Sequence, residues 1–113
     1  MKDHTKRKIY HKELATGRWF TLSLAEQLGN IGSEVARAKR WRGKDERLYQ
    51  NAVDRALELF DLTLEDKRWR GRLREIARAR EVFCDAICGG KMYSSSLEDM
   101  ERYLLPYAMA ARK

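Results

Sequence analysis

Apolar residues recur at steps of three and four along most of this chain, which is the period of helices that bury one face. Leu24, Leu28, Ile31, Val35 and Ala38 form the first stripe and predict a helix over residues 22–41. Ser23 and Glu26 fit a capping box at its start, with Thr21 as the alternative cap, and Gly43 supplies the stop. Gly29 and Gly32 lie inside this helix. Glycine there costs about 1 kcal/mol against alanine, and close approach of a neighbouring helix accounts for it better than a hinge.

Tyr49, Val53, Ala56 and Phe60 make a second stripe, widened by Leu48, Ala52, Leu57 and Leu59, and predict a helix over 45–64 with Asp45 as N-cap. So broad an apolar face suits a helix that touches two neighbours. A third helix is predicted over 70–88, with Leu73, Ile76, Ala77, Phe83, Cys84 and Ile87 facing inward and Gly89-Gly90 ending it. A fourth follows Ser94-Ser95-Ser96, with Ser96 and Asp99 as a capping box and Leu97, Met100, Leu104, Tyr107 and Ala111 as its stripe. Pro106 removes a backbone donor and clashes with the preceding turn, so a kink or an early end is expected near it.

Short connections between helices of similar length favour antiparallel neighbours. The expected fold is therefore all-α: an antiparallel up-down-up-down four-helix bundle over residues 19–113, with a basic N-terminal arm over residues 1–18 that is flexible or partly helical. The 113 residues suit one domain, and 43% hydrophobic content supplies a core. No apolar run approaches the roughly 20 residues that cross a bilayer, and no apolar segment follows the basic N-terminus as a secretory signal requires. A cytoplasmic protein with no membrane partner is expected.

Charge changes the picture most. The chain carries 24 Lys+Arg against 17 Asp+Glu, a net +7. The excess is gathered in patches, which points to a polyanionic partner such as the phosphate backbone of RNA or DNA. One patch holds Lys67, Arg68, Trp69, Arg70, Arg72, Arg74 and Arg78; the spacing of Arg70, Arg74 and Arg78 places those three on one helical face. A second surrounds the turn between the first two helices and includes Arg37, Lys39, Arg40, Arg42, Lys44 and Arg47. In the expected topology the first patch lies at the end where the first helix begins, near Lys6, Arg7, Lys8, Lys12 and Arg18, and the second lies at the opposite end.

Trp69, Trp41 and Trp19 each adjoin arginine. Aromatic rings among cations can stack on unpaired bases while the cations meet phosphate. The plainer and preferred reading of each is a plug at a bundle end, covered by arginine stems.

No nucleophile with a helical histidine partner and no phosphate-binding glycine loop is present. The two histidines, His4 and His11, fall in the arm, away from any bundle site for metal. Cys84 and Cys88, four apart, read as a redox pair or half a metal site, or more plainly as small core residues. The carboxylates are expected to pair with arginines; a buried Arg80 needs Asp61 or Glu34. The expectation is of no enzyme and no cofactor.

Residues 23–35 (SLAEQLGNIGSEV), 55–63 (RALELFDLT) and 72–81 (RLREIARARE) resemble the four-helix-bundle superfamily of small bacterial proteins. It includes those encoded in intervening sequences of 23S ribosomal RNA genes and the accessory variability determinant of diversity-generating retroelements. The fourth helix matches in pattern only. The resemblance implies a basic homo-oligomer, notably a ring-like pentamer, without catalytic residues. It also implies a role like that of the retroelement member, which binds a reverse transcriptase and its template RNA.

The leading expectation is thus a non-enzymatic, oligomeric RNA-binding accessory protein. It would contact phosphate through the patch from Lys67 to Arg78, with Arg40, Arg42 and Arg47 as a second surface. The alternative is a scaffold whose basic face meets an acidic protein, followed by a metal-dependent bundle enzyme.

Overall fold

In a computed structural model, which describes residues 17–93 and 95–112, the chain is all-helical, and four α-helices pack against one another. These are α1 (Leu24–Trp41), α2 (Glu46–Glu65), α3 (Leu73–Ile87) and α4 (Leu97–Ala111). Short 3-10 turns, Arg18–Thr21 and Lys67–Arg72, precede α1 and α3. Most of the predicted arm, with His4, His11 and its lysines, lies outside the described residues. No described helix is long and apolar enough to cross a membrane.

The caps form where local chemistry requires them. Ser23 Oγ accepts from the Glu26 amide at 3.1 Å while Glu26 Oε1 accepts from the Ser23 amide at 2.8 Å, a complete capping box. Asp45 caps α2 through the Leu48 amide. At α4 only half of the predicted box forms: Ser96 Oγ accepts from the Asp99 amide, but the Asp99 carboxylate turns to Arg102. After α3, Gly89 and Gly90 take φ of 108° and 72°, which favours glycine.

Two sequence-based boundaries need correction. α3 begins at Leu73, not residue 70, because the Asp66 side chain accepts from the Arg68 amide and tightens the entry into a 3-10 turn in which Trp69 leaves helical geometry (φ −99°, ψ 24°). Arg70 is therefore not on a helical face with Arg74 and Arg78. α4 runs through Pro106 to Ala111. Pro106 is exposed, so the carbonyl that loses its partner can turn to water.

α1 packs most extensively, against α4 and α2; α3 contacts α2 and α4 more lightly. The core gathers Ile31, Val35 and Ala38 from α1, Ala56, Leu59 and Phe60 from α2, Phe83 from α3 and Leu97 and Leu104 from α4. Each large side chain so buried contributes about 1.5–3 kcal/mol. Phe60 and Phe83 bring their ring centroids to 5.9 Å. Ala79 and Ala86 are buried on α3, whereas Leu73 and Ala111, both predicted to face inward, are exposed, as is Leu48 on α2. Leu73 and Ala111 stand at helix ends, where the neighbour no longer covers the stripe.

The glycines of α1 are there for close approach. A Cβ on Gly29 would stand 2.9 Å from the Ala108 Cα, and one on Gly32 would stand 3.1 Å from the Leu104 Cβ. Gly29→Ala is expected to lower unfolding free energy by about 1–2 kcal/mol, because the clash is with backbone and outweighs the helix-propensity gain. Gly32→Ala, whose new Cβ would stand farther from its neighbour at 3.1 Å, should lose less. Urea titration of both variants checks this; a gain in stability for Gly29→Ala would remove the close-approach account.

Candidate nucleic-acid interface

The end of the molecule where α1 begins and α2 finishes is organised around two buried polar side chains, Gln27 and Asp66. Gln27 is fully buried, and a free amide there would lose its hydrogen bonds to water. Its Nε2 donates to the Trp19 carbonyl and to Asp66 Oδ2, each at 2.9 Å, and its Oε1 accepts from Trp69 Nε1 at 2.8 Å. Asp66 also receives Arg68 in a fork, Nε on Oδ1 at 3.0 Å and Nη2 on Oδ2 at 2.7 Å. That guanidinium, with the Gln27 amide, holds the Asp66 carboxyl down at about pKa 2. Arg68 Nη2 reaches on to the Leu22 carbonyl, and its guanidinium lies 4.4 Å from the Trp69 ring centroid. Trp19, fully buried, donates Nε1 to Thr63 Oγ1 at 3.1 Å.

This network reassigns two candidate interface residues. Arg68 and Trp69 tie the α2–α3 connection to α1, so their polar groups already have partners within the protein. The plug reading fits Trp19 and Trp69, and Trp41 is half-buried. Arg72 is exposed and forms an ion pair with Glu75 at 2.7 Å. Lys67, Arg70 and Arg74 are exposed and make no ion pair among the described residues. Arg78 is exposed too, with its guanidinium 5.2 Å from the Tyr93 ring centroid. Arg112, closing α4, shares a cleft with Leu22 and Glu26 and so belongs to this same end.

The opposite end is built differently. Arg40, Lys44 and Arg47 are exposed around the α1–α2 turn, with no ion pair among the described residues. Arg42 lies 5.8 Å from the Tyr49 ring centroid and points one Nη at the Ala86 carbonyl, 3.5 Å away. Arg37 and Lys39 pair with Glu34 and Glu101. The α3–α4 loop is clasped here by Asp85, whose carboxylate accepts from the amides of Met92 and Tyr93 and from Ser95 Oγ. The Met92 amide, the strongest influence, and its neighbours hold the Asp85 carboxyl below the usual carboxylate range. The same loop presents Lys91 to solvent.

Elsewhere, Arg80 pairs with Asp61 at 2.9 Å, one of the two partners anticipated for it. Cys84 is half-buried and Cys88 exposed, so the expectation of two core residues does not hold for Cys88. Burial pushes the Cys84 thiol up. No group of three His, Cys, Asp or Glu side chains stands ready for a metal among the described residues. The light contact between α3 and α4 leaves a groove of about 310 Å³ walled by Ala79, Val82, Met100 and Tyr103. Burial, then the neighbouring Tyr107, pushes the Tyr103 hydroxyl up to about 12.

Sequence reasoning missed Gln27 and Asp66, and it expected Asp85 to pair with Arg78 or Arg80, whereas Asp85 holds the α3–α4 loop. Asp66 carried a signal, a carboxylate two residues before Arg68 at a helix exit; Gln27 carried none. Comparisons of the chain with protein-family models, with curated proteins and with solved structures found no match.

Proposed function

We propose that this chain is a non-enzymatic RNA-binding accessory protein of the cytoplasm. It meets phosphate with exposed cations at the ends of an antiparallel up-down-up-down bundle. The observation that carries the reading is the partition of the positive charge. Arg37, Lys39, Arg68, Arg72, Arg80 and Arg102 are engaged by carboxylates, whereas Arg40, Arg47, Arg70 and Arg74 are exposed without such partners among the described residues. Unneutralised side chains of this kind displace condensed counterions from a nucleic-acid backbone and bind with little sequence readout. The antiparallel arrangement is supported by register: Gly29 and Gly32 face Ala108 and Leu104, and Gln27 reaches Asp66 beyond the end of α2. Homo-oligomer formation and a reverse-transcriptase partner rest on the superfamily resemblance alone.

A second reading, a scaffold whose basic face meets an acidic protein, draws on the same cations and is favoured by Leu105 and Met109, which would add apolar contact to such a partner. They stand four apart on α4 and are 52% and 57% exposed. Titrating nuclease-treated protein with a structured RNA and with an acidic polypeptide, at low and near-physiological salt, separates the two readings. RNA binding that exceeds polypeptide binding at the higher salt supports the first; equal or weaker RNA binding favours the scaffold.

In a chain whose opposite end is already reversed (Arg40→Glu/Arg47→Glu), reversing Arg70 and Arg74 to glutamate as well is expected to weaken RNA binding at least ~10-fold and to flatten the dependence of log affinity on log salt by about two units. Circular dichroism should stay unchanged, because both side chains are exposed. Unaltered affinity in a folded variant would remove this surface from the interface.

A further inference from the structure

We infer that the protein is bivalent: each end binds a separate nucleic-acid segment, so that one molecule bridges two strands or duplexes. This rests on the RNA-binding reading and adds an activity to it. Apart from Arg42 and Arg78, which lie over tyrosine rings, the exposed cations lacking carboxylate partners among the described residues fall into two groups. Arg40, Lys44, Arg47 and Lys91 surround one end; Lys67, Arg70, Arg74 and Arg112 surround the other. The assignment of ends follows from contacts. Arg42 points to the Ala86 carbonyl beside the Lys91 loop, and Arg112 lines a cleft with Leu22 and Glu26, near the Gln27–Asp66 pair.

Arg47 lies in the first turn of α2 and Lys67 just beyond its end, so the helical rise between them is about 27 Å. That is several times the screening length of about 8 Å at physiological salt, so the ends act as independent electrostatic sites. The body between them offers phosphate little. Arg80 is held by Asp61 and Arg102 by Asp99, while Arg78 stacks on Tyr93. Asp54 on α2 and Glu81 on α3 add carboxylates that a strand tracking along that side from end to end would meet. Two short segments, one per end, avoid that repulsion.

The test uses two short RNA duplexes without complementary ends, one carrying a donor dye and one an acceptor, mixed with the full chain. Fluorescence anisotropy reports binding of either duplex, and energy transfer reports bridging. Transfer is expected to rise with protein, peak, and fall at excess protein as each molecule takes one duplex. The Arg40→Glu/Arg47→Glu variant and the Arg70→Glu/Arg74→Glu variant should each lose the transfer while still raising the anisotropy of one duplex. Saturated anisotropy with no transfer in the unaltered protein would overturn bridging and leave the RNA-binding reading standing. Transfer that survives reversal of either end would also overturn it, since self-association of singly loaded molecules then joins the duplexes. No anisotropy change at all would remove both.

Discussion

Replacing Trp19 by alanine should destabilise the fold by roughly 3–5 kcal/mol, the range for truncating a large buried aromatic. Trp19 is 0% exposed and belongs to the 3-10 turn that leads into α1. Its loss would open a cavity among α1, α2 and that turn. Thr63 would not be stranded, because its hydroxyl donates to the Leu59 carbonyl at 2.8 Å, so the penalty comes from packing rather than an orphaned donor. Trp19→Phe keeps most of the volume and should lose only about 1 kcal/mol, near the worth of one neutral hydrogen bond. Small domains hold about 5–15 kcal/mol in all, so the alanine variant can fall close to unfolding, and the phenylalanine variant then carries the measurement. Chemical denaturation followed by circular dichroism reads both. An alanine variant within about 0.5 kcal/mol of the parent, the range of surface changes, would mean the turn is not docked.

Asp66→Ala should cost less, about 2–3 kcal/mol. Breaking a wholly buried pair costs roughly 3–5 kcal/mol, but the Arg68 side chain is 42% exposed and can turn to water, leaving the buried Gln27 amide as the main casualty. The same carboxylate predicts an acid limb. Its pKa is lowered from 3.8 to about 2 in the folded chain. Its charge therefore stabilises the fold fully above the unfolded value, and that contribution fades as pH falls from near 3.8 through 2. The shift corresponds to roughly 2 kcal/mol. Measured between those limits, stability should fall more steeply with acid in the parent than in Asp66→Asn. Identical slopes would mean the Arg68–Asp66 fork is not formed in solution.

Much of the fold was legible because it is written locally. The Ser23–Glu26 box, the Asp45 cap, the Gly89-Gly90 stop and the stripes of α1 and α2 depend on residues within a turn or two of each other. The glycines of α1 could be read as a close approach, because an uncompensated loss of helix propensity implies a steric demand. What failed was non-local. Nothing around Trp69 shows that a glutamine 42 positions earlier will engage it, and nothing around Arg68 shows that a carbonyl 46 positions earlier will do the same. The basic run was visible as a run; which members remain free depends on the carboxylates that folding brings near. Arg72 and Arg74 look alike in sequence, yet only Arg72 finds Glu75. Of the two outcomes expected at Pro106 the early end does not occur, because whether a proline ends a helix depends on whether the severed carbonyl can reach water.

The Gln27–Asp66–Trp69 network also bears on the order of assembly. Its bonds join positions 39 to 46 residues apart, whereas α1 and α2 are linked by the short turn at residues 42–45. Closing so long a loop directly is entropically dearer than zipping two adjacent helices from their shared turn. The helices must therefore align first, and the buried amide and carboxylate latch afterwards at the far end of the hairpin. A latch set in that order is also a checkpoint, since a pairing slipped by one helical turn would leave Gln27 and Asp66 buried without each other.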